Sequence, residues 1–406
     1  MSKIAERHIM LVIRHDIELG LPPNQFGFRA GRSTVDALIK VETEVTQGWH
    51  MCTKAGKSGR VGIVAIDLAK AFDKVAQSRI IQTLESRFKI NPHALGWIAS
   101  FIKERTQFVQ VRSARSALHV VASGVPQGSC LGPMLFVAAI SHLQEIQLSI
   151  NANLTLFADD IMYTKPLIDE DSRDEMIDDL HNIMRDIEGG GHTINVNKTT
   201  YMVVRLRKSM PNVAEPPLVV RNELIMPSES VKYLGMTLDA AGLTFKQHIR
   251  EKAVKARRAL GHISGILSRW GMRSVVGQIY RVCIRPAMTY ALPLMYGIQR
   301  QGDDRLHRVD RLADSIVTRR GGRYCQSRNP LAPSQGTSRL QLRINTIHQY
   351  VHGHRHCPDQ VRLTRPVNRT RTRGSDEWTI QWLPTSRSTR VANSFLRRAI
   401  SDYKRS

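Results

Sequence analysis

Cysteine is scarce in this sequence, and the few cysteines follow no recognisable spacing. Five are scattered over the 406 residues, and no two form a Cys-x-x-Cys pair. An odd and unpatterned set argues against a disulfide framework and against a zinc ribbon. It is typical of a protein kept in a reducing compartment.

Long apolar runs are also lacking. No run approaches the ~18 residues that a transmembrane helix needs, so we expect no membrane partner. The first apolar stretch contains Lys3, Glu6 and Arg7, which is unlike a secretory signal peptide.

Acidic residues are in short supply relative to basic ones. There are 35 Asp and Glu against 59 Lys and Arg, a net charge of +24. An excess of this size predicts a polyanionic partner, nucleic acid before membrane, although a basic surface of unrelated purpose is the alternative. The excess continues over residues 301–406, where 21 basic residues face 8 acidic ones.

Two of the few acids are adjacent. Asp159 and Asp160 lie between the short apolar runs 154–156 and 161–163, a pattern that predicts a β-hairpin with the acids at its bend. Two carboxylates at a bend line one edge of a site and repel each other unless a cation intervenes, and Mg²⁺ prefers such hard oxygen ligands. A solvated polar turn is the alternative interpretation.

A third acid ends a buried strand. The apolar, β-branched run 63–66 is typical of a strand covered on both faces, and Asp67 follows it directly. Such an acid is either a helix N-cap or a ligand. If this strand lies beside the hairpin, Asp67, Asp159 and Asp160 converge and can hold two divalent ions.

The order of these and other short segments resembles that of the reverse transcriptases of non-LTR (LINE-type) retrotransposons, of the arthropod Jockey-like or rDNA-inserting kind. The matching segments are the finger segment 25–34, motif A with Asp67 and 71–73, motif B 123–133, motif C 157–160, motif D 197–199 and motif E 231–238.

The resemblance implies an α+β fold with the right-hand architecture of polymerases. Residues 1–239 would form partial fingers and the palm, residues 240–300 a helical thumb, and residues 301–406 a basic, partly irregular C-terminal region. It also implies an intracellular enzyme of the nucleus and cytoplasm.

The implied activity is RNA-directed DNA synthesis, in which dNTPs extend a DNA primer on an RNA template. Asp67 and Asp159 would bind two Mg²⁺, or alternatively Mn²⁺, with Asp160 assisting. Lys198 would donate a proton to the departing pyrophosphate. The alternative interpretation of Lys198 is a surface lysine in a turn without a catalytic role.

The resemblance also implies substrate contacts. Phe72 would lie beneath the nucleotide sugar and exclude a 2′-hydroxyl, Gln127 would contact the nucleotide, and Gly128 would let the backbone approach it. Arg29 and Arg32 would grip template or triphosphate. The alternative interpretations are a core aromatic for Phe72, a turn residue for Gln127, and two solvated loop arginines for Arg29 and Arg32.

Some parts of the family pattern are missing. The basic strand segment that precedes the first helix, the N-terminal endonuclease and a C-terminal Cys/His knuckle are absent from this sequence. We therefore expect an N-terminally truncated element. A catalytically inactive nucleic-acid-binding fragment remains the alternative function.

Hydrophobic periodicity predicts the principal elements. Helices are expected at 2–19, 34–49, 133–145, 172–189, within 75–104 with a break near 91–92, within 245–300, and at 301–320. Paired strands are expected at 108–111 and 118–121, and further strands at 194–196 and 201–204.

Overall fold

The computed structural model describes residues 2–206, 215–295, 300–318, 363–364 and 379–380. The chain divides into two compact units. The first comprises Met1–Val203 and Met210–Ser228, and the second comprises Val204–Ser209 and Glu229–Ser406. The predicted division into fingers, palm, thumb and basic C-terminal region stays a prediction, and most of the basic region lies outside the described residues.

Helices occupy much of both units. In chain order they are α1 Ser2–Gly20, α2 Thr34–Lys54, α3 Ala71–Lys74, α4 Gln77–Ser86, α5 Pro92–Ile102, α6 Gly132–Ala139, α7 Ser172–Gly189, α8 Lys246–Leu267, α9 Arg273–Ile279, α10 Arg285–Met288, α11 Leu292–Met295 and α12 Arg300–Thr318. Among the described residues, no helix is both long enough and apolar enough to cross a membrane.

The strands are short. They are β1 Arg60–Asp67, β2 Arg105–Gln107, β3 Gln110–Val111, β4 Ala114–Arg115, β5 His119–Val121, β6 Asn153–Phe157, β7 Asp160–Pro166, β8 Thr200–Arg205, β9 Leu218–Val220, β10 Glu223–Ile225, β11 Ser230–Tyr233, β12 Met236–Asp239, β13 Leu363–Thr364 and β14 Thr379–Ile380.

A four-stranded sheet in the order β6-β7-β1-β8 forms the centre of the first unit. Its strands are covered on both faces, as the apolar run before Asp67 predicts. A Cβ at Gly48 of α2 would meet Val61, and one at Gly62 would meet Met176 of α7. Because adjacent strand residues point to opposite faces, α2 and α7 cover opposite sides of the sheet.

A buried carboxylate joins α2 to the β6–β7 hairpin. Glu44 accepts hydrogen bonds from the hydroxyls of Thr155 on β6, at 3.3 Å, and Thr164 on β7, at 2.9 Å. Lys40 Nζ lies 3.6 Å from it. Burial raises the pKa of Glu44, and the lysine and the two hydroxyls oppose that rise. The carboxylate therefore fixes both strands of the hairpin to the same helix.

The long, strongly periodic elements are confirmed. The helices predicted at 2–19, 34–49, 172–189 and 301–320 correspond to α1, α2, α7 and α12, and the hairpin around Asp159 is β6 and β7. The helix predicted at 133–145 is shorter, because α6 ends at Ala139 and a 3₁₀ turn, Ser141–Gln144, follows it.

Two strand predictions are wrong in detail. The pairing expected between 108–111 and 118–121 is replaced by two short ladders, β2 with β5 and β3 with β4. The strand expected at 194–196 is absent; Ile194 forms a single bridge with Leu68, and Val196–Lys198 is a 3₁₀ turn. The strand predicted at 201–204 is β8.

In the second unit, the β11–β12 hairpin leads into α8. Asp239 at the end of β12 accepts hydrogen bonds from the backbone N–H groups of Thr244 and Phe245, at 3.0 and 2.6 Å. The carboxylate thus satisfies donors at the start of the helix that have no partner within it. Helix α12 is joined to the segment after α9 by a hydrogen bond from the Tyr280 hydroxyl to Asp310.

Candidate active site

Two acids face each other at one end of the central sheet. Asp67 is the last residue of β1, Asp160 is the first residue of β7, and the antiparallel register pairs them directly. Residues paired in this way carry their side chains on the same face of a sheet, and like charges in that position are destabilising. The register therefore brings together two of the three acids whose convergence the sequence predicts.

Asp67 does not cap a helix. The next helix, α3, begins at Ala71, and its N-cap position is Lys70, which makes no side-chain capping bond. Of the two interpretations of Asp67 that the sequence leaves open, the N-cap is therefore wrong for α3. The carboxylate remains available for another role.

Asp159 lies in the tight turn that joins the hairpin strands. Phe157 pairs with Asp160, so Ala158 and Asp159 alone form the loop. Ala158 has φ 54°, in the left-handed region that non-glycine residues seldom occupy. A backbone held there costs of order 1 kcal/mol or more and persists where its surroundings enforce it.

The three carboxylates influence each other electrostatically. Burial is the first cause that raises the pKa of Asp160 to about 6, and the negative charges of Asp159 and Asp67 are the second and third. Burial also raises the pKa of Asp159, with a further contribution from Asp67. The cluster is therefore one in which ionised carboxylates repel and a bound cation would be stabilising.

These oxygens are the ligands that hard divalent ions prefer. In the described ranges, however, no three acidic, histidine or cysteine side chains are close enough to form a metal site. The donor set fits a divalent ion in its chemistry, while convergence of all three carboxylates on one ion is not part of this structure.

Lys198 lies next to the acids. It ends the 3₁₀ turn Val196–Lys198, and its Nζ is 3.8 Å from Oδ2 of Asp67, with 68% of the side chain exposed. The structure therefore brings this cation to the acids, from a 3₁₀ turn that replaces the predicted strand 194–196 and precedes β8.

The aromatic ring of Phe72 is half-buried beside the site. It stacks on Phe136 at a centroid distance of 4.1 Å and meets Phe28 edge-on at 6.1 Å. One face is therefore anchored in the core, and part of the residue stays exposed. The stacked face fits the core role predicted as the alternative, and the contact with the nucleotide sugar stays a prediction.

The loop that contains Gln127 is fastened to the segment around Phe72. Gln127 Nε2 donates to Oδ1 of Asp73 at 2.7 Å, and the N–H of Val125 donates to the Phe72 carbonyl at 2.9 Å. Gly128 has φ 78°, and a Cβ there would meet no atom within 4 Å. Gln127 and Gly128 are both exposed, so the contacts with a nucleotide that we predict remain sterically open.

Arg29 and Arg32 bind groups of the protein itself, on α1 and around the start of the finger segment. The Arg29 side chain is 8% exposed and donates to Oε2 of Glu18 at 2.9 Å. Arg32 donates to the carbonyl of Gln25 at 2.8 Å, and its guanidinium lies over the ring of Phe26. Their contact with phosphate stays a prediction, and the structure adds a scaffolding role for both.

Two residues that contact the site were missed by sequence reasoning. Asp73 belongs to motif A and has no further predicted role, yet its carboxylate accepts a hydrogen bond from Gln127. No feature of the sequence marks Gln25 as a site residue. Its side-chain oxygen nevertheless accepts a hydrogen bond from the N–H of Ala158, 133 residues away. Spacing along a chain does not reveal a contact at such separation.

The family of this chain follows from its sequence match. The family described as reverse transcriptase (RNA-dependent DNA polymerase) matches residues 2–238, more than half of the chain. The chain belongs to the reverse transcriptase family. Every predicted motif of this reverse transcriptase domain falls inside the match, and domains of this family generally depend on a divalent metal.

Retrotransposon polymerases are among the relatives of this reverse transcriptase domain. The probable RNA-directed DNA polymerase from transposon X-element of Drosophila melanogaster is 28% identical over 301 residues, covering 71% of this chain and 31% of that protein. The RNA-directed DNA polymerase from mobile element jockey of the same species is 28% identical over 310 residues, covering 73% and 32%. The chain spans about a third of the length of these relatives.

A weaker likeness exists among solved structures. Apo telomerase from Candida tropicalis gives a TM-score of 0.43 at 10% identity, over 77% of this chain and 55% of that chain. The sequence match remains the basis of the family assignment, and it confirms the predicted resemblance to non-LTR retrotransposon reverse transcriptases.

The raised pKa of Asp160 predicts a pH-dependent stability. The folded chain binds this proton more tightly than the unfolded chain, so the stabilisation is complete below the ordinary pKa of 3.8 and is lost as pH rises through about 6. A rise from 3.8 to about 6 corresponds to about 3 kcal/mol, which solvent screening at this partly exposed carboxyl reduces to about 1 kcal/mol.

Asp160→Asn should therefore gain stability over the parent chain as pH rises from about 4 to about 7. Chemical denaturation in EDTA across this range measures the difference. Asp178→Asn, an exposed carboxyl on α7, is the matched control. A stability difference between Asp160→Asn and the parent that does not change with pH would contradict the electrostatic account.

Proposed function

We propose that this reverse transcriptase domain extends a DNA primer with dNTPs on an RNA template by nucleotidyl transfer. The observation that carries the proposal is the pairing of Asp67 with Asp160, with Asp159 in the turn between β6 and β7. Membership of the reverse transcriptase family supports the same chemistry.

Asp67 and Asp159 would hold two Mg²⁺, with Asp160 assisting and Mn²⁺ as the alternative ion. Such ions supply activation of the primer 3′-hydroxyl and neutralise charge on the triphosphate and the leaving pyrophosphate. Burial first, and then the charges of the neighbouring carboxylates, raise the pKa of Asp159 and of Asp160, and a bound cation would offset both effects.

Lys198 would act as the proton donor to pyrophosphate. Its ammonium is 3.8 Å from Asp67 and largely exposed, so it would be able to reach a leaving group next to the acids. An ammonium that transfers its proton to the departing pyrophosphate lowers the negative charge that develops on the pyrophosphate.

The residues around Phe72 would select and hold the nucleotide. The exposed part of the Phe72 ring would contact the sugar, and the stack on Phe136 would keep the ring from moving aside. Gln127 and Gly128 would contact the nucleotide from the loop fastened to Asp73. Arg29 and Arg32 would contact phosphate only after exchanging some of their present partners.

A second observation favours binding of the nucleic-acid backbone. Helices α8 and α12 enclose a cleft of about 380 Å³ in the second unit, with Val254 and Val309 among its apolar lining residues. The charged residues that line it are all arginines, namely Arg250, Arg257, Arg258, Arg305 and Arg308. Guanidinium groups bind phosphate oxygens in a fork geometry, so this cleft would bind the phosphates of primer or template.

Charge removal in this cleft should weaken nucleic-acid binding in a salt-dependent way. Arg257→Gln and Arg308→Gln should each lower the slope of log K against log salt concentration by about 1 for a duplex. Fluorescence anisotropy with a labelled primer–template measures it. Arg269→Gln, an exposed arginine that does not line the cleft, is the control, and an equal effect there would argue against a specific cleft.

The alternative function is a nucleic-acid-binding fragment without catalysis, and the arginine cleft supports binding under either hypothesis. Primer extension on an RNA template separates the two. We expect elongated DNA product from dNTPs in the presence of Mg²⁺ and none in EDTA. Binding without any extension, in Mg²⁺ or in Mn²⁺, would favour the binding fragment.

A further inference from the structure

Residues 24–26, at the start of the finger segment, lie along the outer edge of the catalytic hairpin. The backbone N–H of Phe26 donates to the carbonyl of Leu156 at 2.8 Å, and the N–H of Leu156 donates to the carbonyl of Asn24 at 2.9 Å. Gln25 and Leu156 thus make a parallel bridge on the outer edge of β6. These two hydrogen bonds attach residues 24–26 to the strand that leads to Asp159.

The side chain of Gln25 continues this contact into the turn. It is 1% exposed, and its Oε1 accepts hydrogen bonds from the backbone N–H of Ala158, at 2.9 Å, and of Gly27, at 2.8 Å. Ala158 precedes Asp159 and holds the left-handed φ of 54°. A single buried oxygen thus ties the peptide before Asp159 to the finger segment.

Gly27 fits the same turn by close approach. A Cβ at this position would lie 2.4 Å from the Ala158 nitrogen and 3.0 Å from its Cβ. These neighbours belong to the turn and not to the end of a flexible side chain, so any larger residue must displace the turn or the finger segment. The contact is therefore steric as well as polar.

The two arginines of the finger segment hold Gln25 from its backbone side. Arg32 donates to the Gln25 carbonyl at 2.8 Å, and Arg29 approaches the same oxygen at 3.5 Å. Arg29 is itself fixed by Glu18 on α1 and by the carbonyl of Pro22, at 2.9 and 2.5 Å. The finger segment is thereby anchored to α1 on one side and to the catalytic turn on the other.

We propose that Gln25 is a positioning residue that fixes the backbone of the Ala158–Asp159 turn and thereby the Asp159 carboxylate. The inference rests on the proposed function for its catalytic consequence, but the hydrogen bonds are independent of it. Nucleotidyl transfer depends on the placement of charged groups, and a displacement of about 1 Å lowers a rate by about 100-fold. Gln25 would therefore act on catalysis without touching the substrate.

The first readout needs neither metal nor activity. Hydrogen–deuterium exchange of peptides covering residues 154–161 should be faster in Gln25→Leu, which lacks the acceptor, than in the parent chain. Gln25→Glu keeps an oxygen acceptor of the same length and should retain the protection. Asn24→Ala is the matched control, because it loses a bond to the Leu154 carbonyl on the same strand edge, away from the turn.

The second readout is primer extension at saturating dNTP and primer–template. Gln25→Leu should lower kcat by about 10- to 100-fold, with the KM for dNTP little changed. Gln25→Glu should recover much of this loss, and Asn24→Ala should keep the parent kcat. Gly27→Ala retains the Gln25 oxygen and should lower kcat by displacing the turn, which provides a second test if Gln25→Leu folds poorly.

Each outcome decides something different. Parent-like exchange and kcat in Gln25→Leu, or an equal loss in Asn24→Ala, would overturn the positioning role. If the parent chain does not extend a primer at all, the proposed function fails, while the exchange experiment still decides whether Gln25 fixes the turn.

Discussion

Asp159→Asn should reduce primer extension by about a thousandfold or more. The substitution keeps the shape of the side chain but removes one ionised oxygen from the set Asp67, Asp159 and Asp160. Loss of a group that stabilises developing charge in a transition state costs several kcal/mol, which corresponds to a factor of this size. Extension of an RNA-templated primer at saturating Mg²⁺ and dNTP is the measurement.

The same variant should not be less stable than the parent chain. The pKa of Asp159 is raised by burial and by the charge of Asp67, so removing its charge relieves an unfavourable interaction. Thermal unfolding in EDTA checks this, with Asp178→Asn as a control for the loss of one exposed acid. Near-normal extension by Asp159→Asn would refute the catalytic assignment.

Phe72→Val should relax discrimination between dNTP and NTP. The ring is held against Phe136 and is partly exposed, so its removal would open space at the position proposed for the sugar. A pocket contact of this kind is worth about 1–3 kcal/mol, or 10- to 200-fold in relative kcat/KM. Incorporation of matched dNTP and NTP by the parent and variant chains provides the ratio.

Phe108→Val is a useful control for this experiment. Phe108 is another exposed aromatic, 45% accessible, on the β2–β5 ribbon and outside the candidate site. It should leave the ratio unchanged. If Phe72→Val keeps both dNTP activity and the parent ratio, Phe72 is a packing residue and the proposed exclusion of the 2′-hydroxyl is wrong.

The sequence was most informative where burial enforces a pattern. The apolar run before Asp67 and the hairpin around Asp159 are buried on the sheet, so their side chains can adopt one register only. A shift of β1 by a single residue would exchange the side chains packed on α2 with those packed on α7, and would separate Asp67 from Asp160. This is why the pairing of Asp67 with Asp160 could be predicted although 93 positions separate them in the chain.

The sequence was least informative where no burial selects a register. Residues 105–119 are exposed throughout, and there the predicted pairing of 108–111 with 118–121 was wrong. Side-chain hydrogen bonds between distant residues could not be predicted from the sequence either. That Arg29 binds Glu18, and that Gln25 binds the turn before Asp159, depends on the folded path of α1 and the finger segment.

The exposed ribbon of β2 to β5 also has a practical consequence. Its side chains are mostly exposed and contribute little to the hydrophobic core, so changes in its length would disturb few buried contacts. The β6–β7 hairpin differs, because Glu44 binds both of its strands. Loop tips of this kind tolerate insertions well. The tip at Arg112 and Ser113 is therefore a suitable position for an affinity tag or a fluorophore, with which the nucleic-acid binding that we propose can be followed without altering the acids.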